Sequence, residues 1–452
     1  MEKTRRGFVS HRFAADMRRS FEHFVHNSST GGILLMICAV LALLFANVPA
    51  LQHITEIWHT PIGLSIGSFQ LEMSLLHWVN DGLMAIFFFV VGLEIKREMM
   101  VGELRSLRLA VLPIFAAVGG MVVPALIYSL FNAGEPTASG WGIPMATDIA
   151  FALGVLSLLG DRVPLGAKVF LTALAIVDDL GAILVLAIFY PSHDLHLNYL
   201  FYAALVVVLL FIFNRSRLRH PLYYLLPGLF LWYFVDCSGI HATIAGVILA
   251  MMIPSKTTVN EVRFNVQMRY LLQRFKDTCS GEVDVLANPE QQMLLHRIDQ
   301  NVSGISPLMH RFEHALHPWV TFFIMPVFAL ANAGVLFNGS MLGGGDGVSA
   351  LIPGIFLGLL LGKPIGIFLM SFLAVKLRLA DLPAGTRWMQ ILGVGVIGGI
   401  GFTMSIFIDN LAFTDPAYID LGKATILITS VVAAVCGLIF VGMTTRSEKK
   451  NN

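Results

Sequence analysis

Two adjacent aspartates, Asp178 and Asp179, lie in the middle of the apolar segment ALAIVDDLGAI, residues 173–183. They are the only charged side chains between Lys168 and His193. On membrane-insertion scales an aspartate at the centre of a spanning helix costs about 2.5 to 3.5 kcal/mol, so the pair costs about 5 to 7. Hydrogen bonding to neighbouring helices is the purely structural explanation. Acids inside a membrane are usually functional, however, and the pair therefore predicts a site.

The chemistry open to such a pair is the binding of protons or of a small cation. Carboxylate oxygens suit hard cations such as Na⁺, by extension of the preferences of Ca²⁺ and Mg²⁺. Neighbouring side chains on a helix project about 100° apart, so two carboxylates converge on one cation only where several helices meet. Buried carboxyl groups also keep protons close to neutral pH and titrate together. If such a site faces the two sides of a membrane in turn, competition between protons and the cation produces exchange.

Two further ionisable residues lie inside apolar segments. Asp148 follows Thr147 in IPMATDIAFALG, where Pro144 and the Thr-Asp pair are typical of a helix beginning, with a carboxylate near its positive end. A helix cap at a membrane boundary would also explain this pair. Lys363, in LLGKPIGIF, is too deep in its segment to extend easily to water, whereas Lys423 lies at the end of the last segment and can do so.

A second irregular segment is GVGVIGGIGFTMSIF, residues 393–407, which contains five glycines. This density predicts close helix packing or a broken helix, and non-helical backbone at membrane depth is tolerated only where it is buried in protein or lines a cavity. This segment and the one with Asp148 are the middle members of apolar triplets three to five and ten to twelve. Odd spacing inverts the second triplet relative to the first, as in transporters built from inverted repeats.

The composition is that of a polytopic membrane protein. Of 452 residues, 56% are hydrophobic and 13% charged, and the mean hydropathy is +0.75. A net charge of +1 gives no basic excess for nucleic acid, so the predicted surroundings are membrane lipids. The isolated cysteines predict neither a zinc site nor disulfides; they are Cys38, Cys237, Cys279 and Cys436. Twelve apolar stretches are candidate spans: 31–48, 76–95, 109–131, 145–160, 169–190, 197–213, 221–236, 239–253, 317–336, 351–375, 389–408 and 423–444.

Basic residues orient these spans. With the amino terminus inside, all but two of the 30 Lys and Arg fall on one side, as expected of cytoplasmic loops, so both termini are predicted to be cytoplasmic. The basic amino terminus is long for a signal peptide, which favours a retained first helix. The predicted organisation is a cytoplasmic segment, residues 1–30, then a transmembrane domain, 31–445, and a cytoplasmic tail, 446–452. A polar cytoplasmic loop, 254–316, interrupts the transmembrane domain. The loop contains possible surface helices such as VRFNVQMRYLLQRFK.

The first outer loop and the ends of three spans carry weaker signals. In IGLSIGSFQLEM, alternation on both sides of Gly67-Ser68 predicts a short β-hairpin, which either contacts another subunit or caps the bundle. Glu94 and Glu98 lie at the inner end of span two, where an interfacial charge cluster explains them as well as regulation does. His241 begins span eight, and a satisfied polar residue is favoured there over a sensor. Glu313, in HRFEHALHPW, precedes span nine among histidines whose spacing could suit a metal, although an interfacial cap is favoured.

Together the motifs resemble the bacterial NhaA family of Na⁺/H⁺ antiporters, from span one to span twelve. The motifs are ATDIAFALGVLSLLG, LTALAIVDDLGAI, LLGKPIG, GLEIKRE, SGIHATIAGV, HPWV followed by PVFALANAGV, and GIGFTMSIFI. The resemblance implies an all-α fold of twelve transmembrane helices. Spans 3–5 and 10–12 (109–190 and 351–444) would form a core beside a panel (31–95, 197–253 and 317–336). Spans 4 and 11 would be interrupted and cross near the midplane of the bacterial inner membrane.

Residue by residue, the resemblance implies roles for the polar groups of the core. Asp178 and Asp179 would form the cation and proton site, with Asp179 the more direct Na⁺ ligand. Thr147 and Asp148 would lie at the crossing, where Asp148 balances the positive helix ends. Lys363 would face the negative ends and pair with Asp178.

The resemblance also implies regulation and assembly. Glu94, Glu98 and Glu313 would line a cytoplasmic funnel that senses pH, and His241 joins this regulatory set. Members use the outer-loop hairpin, here near Leu64 to Met73, for homodimerisation. Activation at alkaline pH, electrogenic exchange, and roles in Na⁺ and pH homeostasis and salt tolerance would follow. No cofactor is implied beyond the transported Na⁺, Li⁺ and H⁺.

Two other functional classes compete with antiport. A sodium-coupled symporter or cation uniporter on a similar crossed-helix scaffold would need no acid pair with an intramembrane lysine, and a symporter would need a pocket for an organic substrate. An intramembrane aspartyl protease is suggested only by GGGD, Gly343 to Asp346. Its acid lies in a glycine-rich outer loop, and the chain has no Tyr-Asp pair. The sequence therefore predicts a transporter rather than an enzyme.

Overall fold

A computed structural model of the chain describes residues 28–66, 69–191, 194–216, 218–256, 260–278, 288–336 and 348–446. Most of the predicted amino-terminal segment, the hairpin turn Gly67-Ser68, Cys279, the GGGD motif and most of the predicted tail lie outside the described residues.

Almost every apolar stretch forms a helix, because a helix satisfies its backbone hydrogen bonds internally where no water is present. Besides helical turns of three or four residues, the helices are α1 (Ser28–Asn47), α2 (Leu75–Val101), α3 (Leu107–Asn132), α4 (Ile149–Ser157), α5 (Leu165–Phe189), α6 (Leu197–Arg215), α7 (Leu222–Cys237), α8 (Thr243–Met252), α9 (Glu261–Asp277), α10 (Pro289–Ile305), α11 (Leu308–Asn332), α12 (Ala350–Lys376), α13 (Trp388–Gly398), α14 (Phe402–Ala412) and α15 (Pro416–Arg446). A 3₁₀ segment, Pro136–Met145, precedes α4.

Among the described residues, eight helices are long and apolar enough to cross a membrane, or ten if each of two bent pairs is one span. The shorter apolar helices α7 and α8 complete the set of predicted stretches. The chain is therefore a multi-pass membrane protein, and the count of twelve spans stays a prediction.

The two segments predicted to be irregular are both interrupted. The 3₁₀ segment and α4 meet at 45°, and α13 and α14 meet at 48°. The first break comes where Asp148 leaves the helical region (φ −84°, ψ 99°) and caps α4. The second break lies between Gly398 and Phe402, in the stretch of glycines. Each segment therefore has one helix end and one helix beginning at its break.

Close packing of α3 against α12 positions the buried lysine. Gly119 and Gly366 face each other so closely that a Cβ added to Gly119 would lie 2.1 Å from the carbonyl oxygen of Gly366. A π-helical turn, Gly358–Gly362, immediately precedes Lys363 and shifts its direction on the helix. The small residues and the extra residue in the turn therefore bring the lysine to the interior.

The buried apolar side chains form two clusters. The larger one joins α1, α3, α4, α5 and α11 to α15, together with one face of α2. The smaller one joins α6, α7 and α8 to other faces of α2 and α11. Helices α2 and α11 thus contact both clusters, and the division into core and panel at the predicted boundaries stays a prediction.

The predicted hairpin and surface helix are confirmed. Strands β1 (Pro61–Ile66) and β2 (Phe69–Ser74) pair antiparallel, with Pro61 opposite Ser74 and Ile66 opposite Phe69. In the loop, α9 begins after Asn260, whose side chain accepts a hydrogen bond from the N–H of Val262 (3.2 Å). It packs against α10.

Candidate functional site

The two broken segments contact each other at their breaks. The N–H of Asp148 donates to the carbonyl oxygen of Ile400 (2.8 Å), and the Thr147 hydroxyl donates to the carbonyl oxygen of Gly398 (2.9 Å). A break exposes backbone groups that a continuous helix would pair, and here each break satisfies groups of the other. Asp148 and Thr147, which the resemblance assigned to this region, lie at the contact.

The Asp148 carboxylate joins the beginnings of two helices. One oxygen accepts the N–H of Phe151 in α4 (2.9 Å), and the other accepts both the N–H (3.2 Å) and the hydroxyl of Thr403 in α14. Helix N-termini carry partial positive charge, so one buried carboxylate stabilises both. Sequence reasoning did not single out Thr403. Thr403 directly follows the glycine-rich break, just as the Thr-Asp pair lies at the break of the other segment. This position could have identified it from the sequence.

Lys363 forms a buried ion pair with Asp178. The Lys363 ammonium donates to one oxygen of the Asp178 carboxylate, and each residue is only 1% exposed. Both broken segments lie against the same stretch of α12. A Cβ on Gly399 would lie 2.5 Å from the carbonyl oxygen of Leu359, and a Cβ on Gly358 of α12 would lie 2.8 Å from the side chain of Pro144. The pair is therefore anchored beside the contact between the breaks.

Asp179 is equally buried but has no lysine of its own. One oxygen of Asp179 and the second oxygen of Asp178 have no hydrogen-bond partner among the described residues. Buried polar atoms are almost always paired, and an unpaired buried carboxylate is strongly disfavoured. These two oxygens can therefore take a proton or a small cation.

A cavity of about 420 Å³ leads to this position. Asp179 and Asp148 line its deep end, and Glu94, Arg97 and Glu313 line it nearer the helix ends. The cavity therefore connects Asp179 with one end of the bundle, the end at which α2 finishes.

The three glutamates assigned to pH sensing lie together at this end. Arg97 forms an ion pair with Glu313 and another with Glu98 (3.1 Å), and Glu98 also accepts the N–H of Glu103 (3.1 Å). Glu94 lies on the cavity wall one helical turn from Glu98. A single cation thus couples α2 to α11.

His241 lies elsewhere. Its ring is 3.9 Å from the Asp81 carboxylate and contacts the ring of Phe407. Asp81 and Arg97 are roughly 24 Å apart along α2, at 1.5 Å per residue. The structure therefore does not bring His241 together with the glutamates. Within the described part of the chain, no three His, Cys, Asp or Glu side chains are placed to hold one metal ion, including the histidines near Glu313.

A chain of asparagines, also not foreseen, joins the helices beyond the site. Asn410 of α14 donates to the side-chain oxygen of Asn332 in α11, and Asn332 donates to that of Asn80 in α2, both at 2.8 Å. These contacts hold α14 to α2 and α11 at the end opposite the cavity.

Comparison with known proteins gives the family. A family model described as Na⁺/H⁺ antiporter 1 matches residues 22–441. The Na(+)/H(+) antiporter NhaA of Wolinella succinogenes is 47% identical over 428 residues, which cover 95% of this chain and 94% of the relative. Na(+)/H(+) antiporter NhaA 2 of Flavobacterium johnsoniae is 50% identical over 431 residues, with coverage of 95% and 94%. The Na(+)/H(+) antiporter NhaA of Helicobacter pylori is 47% identical over 423 residues, with coverage of 93% and 94%. Since its motifs, its broken helices and these relatives all agree, the chain belongs to the NhaA family of Na⁺/H⁺ antiporters and is a membrane transporter rather than an enzyme.

Proposed function

We propose that the protein exchanges cytoplasmic Na⁺ or Li⁺ for external H⁺ across the bacterial inner membrane. Protons and the cation would compete for the carboxylates of Asp178 and Asp179. The observation that carries this proposal is the pair of unpartnered oxygens, one on each aspartate, beside a cavity that ends at Asp179. A carboxylate in this position is stable only with an occupant.

In this mechanism Asp179 is the direct Na⁺ ligand. A Na⁺ ion arriving through the cavity displaces the proton of Asp179, and the carboxylate then neutralises the ion. Lys363 holds Asp178 through one oxygen, so the other oxygen remains for the cation. Asp178 would take up a second proton when its ion pair with Lys363 opens, so that two protons would be exchanged for one cation and the exchange would be electrogenic.

Asp148 and the two breaks would allow the site to change sides. Helix ends that meet near the midplane can tilt without exposing unpaired backbone, provided that Asp148 and Thr147 keep their contacts. We infer that the broken segments cross there and rock together against the panel, which would expose the aspartates to each side in turn.

Regulation by pH would act at the mouth of the cavity. Glu94, Glu98 and Glu313 surround Arg97, and the ion pair of Arg97 with Glu313, which joins α2 to α11, would strengthen as the pH rises. Activation at alkaline pH would follow. His241, at the opposite end, would respond separately. The protein would be a homodimer with both termini in the cytoplasm and would serve Na⁺ and pH homeostasis and salt tolerance.

The test uses everted membrane vesicles with an imposed pH gradient. Added Na⁺ or Li⁺ is expected to dissipate the gradient with the intact protein and to fail with Asp179→Asn. Asp381→Asn is the matched control, because this acid is 83% exposed in its side chain and forms a surface ion pair with Arg108. Dissipation by Asp179→Asn, or none by the intact protein, would contradict the proposal. Dissipation that required an added organic solute would instead indicate a symporter.

A further inference from the structure

The antiport mechanism leaves one intramembrane acid unused. Asp409, near the end of α14, is fully buried, and neither of its carboxylate oxygens has a hydrogen-bond partner among the described residues. Its carboxylate occupies the space beside Gly422 of α15, since any Cβ on that glycine would overlap it. Such a group is strongly disfavoured as a bare anion, so it needs a bound proton, a bound cation or a nearby positive charge.

The charged groups that act on Asp409 come from α15. Lys423 and Asp420 interact with it electrostatically, although neither forms a hydrogen bond with it. Tyr128 of α3 also interacts with it, and its hydroxyl already donates to the carbonyl oxygen of Thr137 (2.6 Å). The 3₁₀ segment that packs on α14 has no ionisable residue. The ionisable residues of α11 lie at the other end of that helix, by the cavity.

The position of Asp409 relates it to the ion site. It follows Thr403, which binds Asp148, by about 9 Å along α14, at 1.5 Å per residue. The next residue, Asn410, begins the asparagine chain that holds α14 to α11 and α2. Asp409 therefore lies between the ion site and the end of the bundle opposite the cavity.

We propose that Asp409, with Lys423 beside it, is a second proton-binding site on the half of the transport path that faces away from the cavity. The carboxylate takes up one proton to become a neutral acid and returns it, while the Lys423 ammonium stabilises the charged form. A proton fits better than Na⁺, because a hard cation needs several oxygens, and no three His, Cys, Asp or Glu side chains in the described part of the chain are placed to hold one ion. This proposal rests on the proposed antiport function.

The test separates proton transfer from cation movement. The full-length protein in proteoliposomes is assayed for Na⁺/H⁺ exchange, with the pH of each side varied separately, and for exchange of radioactive sodium against unlabelled sodium, which needs no proton. In Asp409→Asn, Na⁺/H⁺ exchange should slow by about tenfold or more and lose its dependence on pH at the side away from the cavity. Sodium-for-sodium exchange should stay within about twofold of the intact protein.

Asp415→Asn is the matched control. This acid is exposed at the same end of the bundle and caps α15 by accepting the N–H of Ala417 (2.9 Å), a bond that asparagine can also accept. Both exchange modes should remain within about twofold. If Asp409→Asn fails to fold, Lys423→Met should give the same separation of the two modes.

Three results would overturn the proposal: unchanged exchange in Asp409→Asn, equal slowing of both modes, or failure of both variants to fold. The last two would assign the pair a structural role. Failure of the antiport proposal itself is distinguishable, because the intact protein would then show no Na⁺-driven proton flux at all.

Discussion

Asp178 and Lys363 form a buried pair of opposite charges. Both residues are 1% exposed, so neither charge has water to solvate it, and each depends on the other. Removing one partner of a buried pair typically costs about 3 to 5 kcal/mol, whereas removing both can be nearly neutral. Asp179, without a lysine, is left as the group whose occupancy can change.

Lys363→Met is therefore expected to destabilise the protein by about 3 to 5 kcal/mol. The double variant Lys363→Met/Asp178→Asn should recover most of the loss, because no uncompensated charge remains. Thermal unfolding in detergent measures both. Lys376→Met is the control, since this lysine is exposed at the end of the same helix. Equal stability of the single and double variants would show that the pair is not the cause.

Glu313 links the charge cluster at the cavity to its pH response. In Glu313→Gln, one negative charge is lost and Arg97 is left to stabilise Glu98 alone. The ion pair that joins α2 to α11 is therefore lost. Alkaline activation should be weakened, so that the ratio of Na⁺-driven proton flux at high pH to that at low pH falls by about twofold or more.

The pH profile of Na⁺-driven proton flux in everted vesicles measures this loss. Glu290→Gln breaks an ion pair of the same kind with Arg274 (3.6 Å), but both side chains are more than half exposed. It should leave the pH profile unchanged. Full alkaline activation in Glu313→Gln would refute the role given to the ion pair.

At the scale of elements, the contact between the two breaks depends on small residues. Gly399 ends α13 with an ordinary backbone conformation, so it is needed for space and not for its dihedral freedom. The atom nearest to a Cβ at Gly399 would be the backbone carbonyl oxygen of Leu359 in α12, which cannot move aside as the end of a side chain can. The π-helical turn that follows Leu357 leads from this contact to Lys363.

Gly399→Ala should therefore force α12 away from the breaks, which lowers stability by about 1 to 3 kcal/mol and slows exchange. Gly442→Ala in α15 is the control, because its nearest neighbour would be a side-chain atom of Leu159 at 3.8 Å. Alanine in that helix should be neutral or slightly stabilising. Thermal unfolding and vesicle flux measure both variants, and equal behaviour of the two would show that the close contact is unimportant.

At the scale of the whole molecule, the hairpin is the element least involved in the ion site. Its two six-residue strands pair only with each other among the described residues, and Ile62 in β1 is half exposed. An isolated two-stranded sheet is marginally stable in water, so a partner surface would stabilise it. A second copy of the chain is the partner that the family resemblance implies.

Replacing residues 63–72 by a short Gly-Ser linker should convert the proposed dimer to a monomer. Light scattering of the purified protein in detergent measures the mass. Exchange in vesicles should persist, because no residue of the ion site lies in the hairpin. A variant that remains dimeric would place the interface elsewhere.

Many features of this protein can be predicted from short stretches of its sequence. Composition identifies a membrane protein, and alternation around Gly67-Ser68 gives the hairpin. The cost of burying Asp178 and Asp179 marks the site without any coordinates. These signals are local because helix periodicity, strand alternation and the penalty for a buried charge act within a few residues of chain.

The partners of those residues were settled only by the tertiary structure. Lys363 meets Asp178 across 185 residues, and Thr403 meets Asp148 across 255. In the sequence Asp409 looks like an ordinary charged residue near a helix end. Only the structure shows that its carboxylate is buried against Gly422 with no hydrogen-bond partner among the described residues. No local pattern encodes which distant groups meet, because that depends on how closely glycine faces let helices approach and on which buried charges then find a counter-charge.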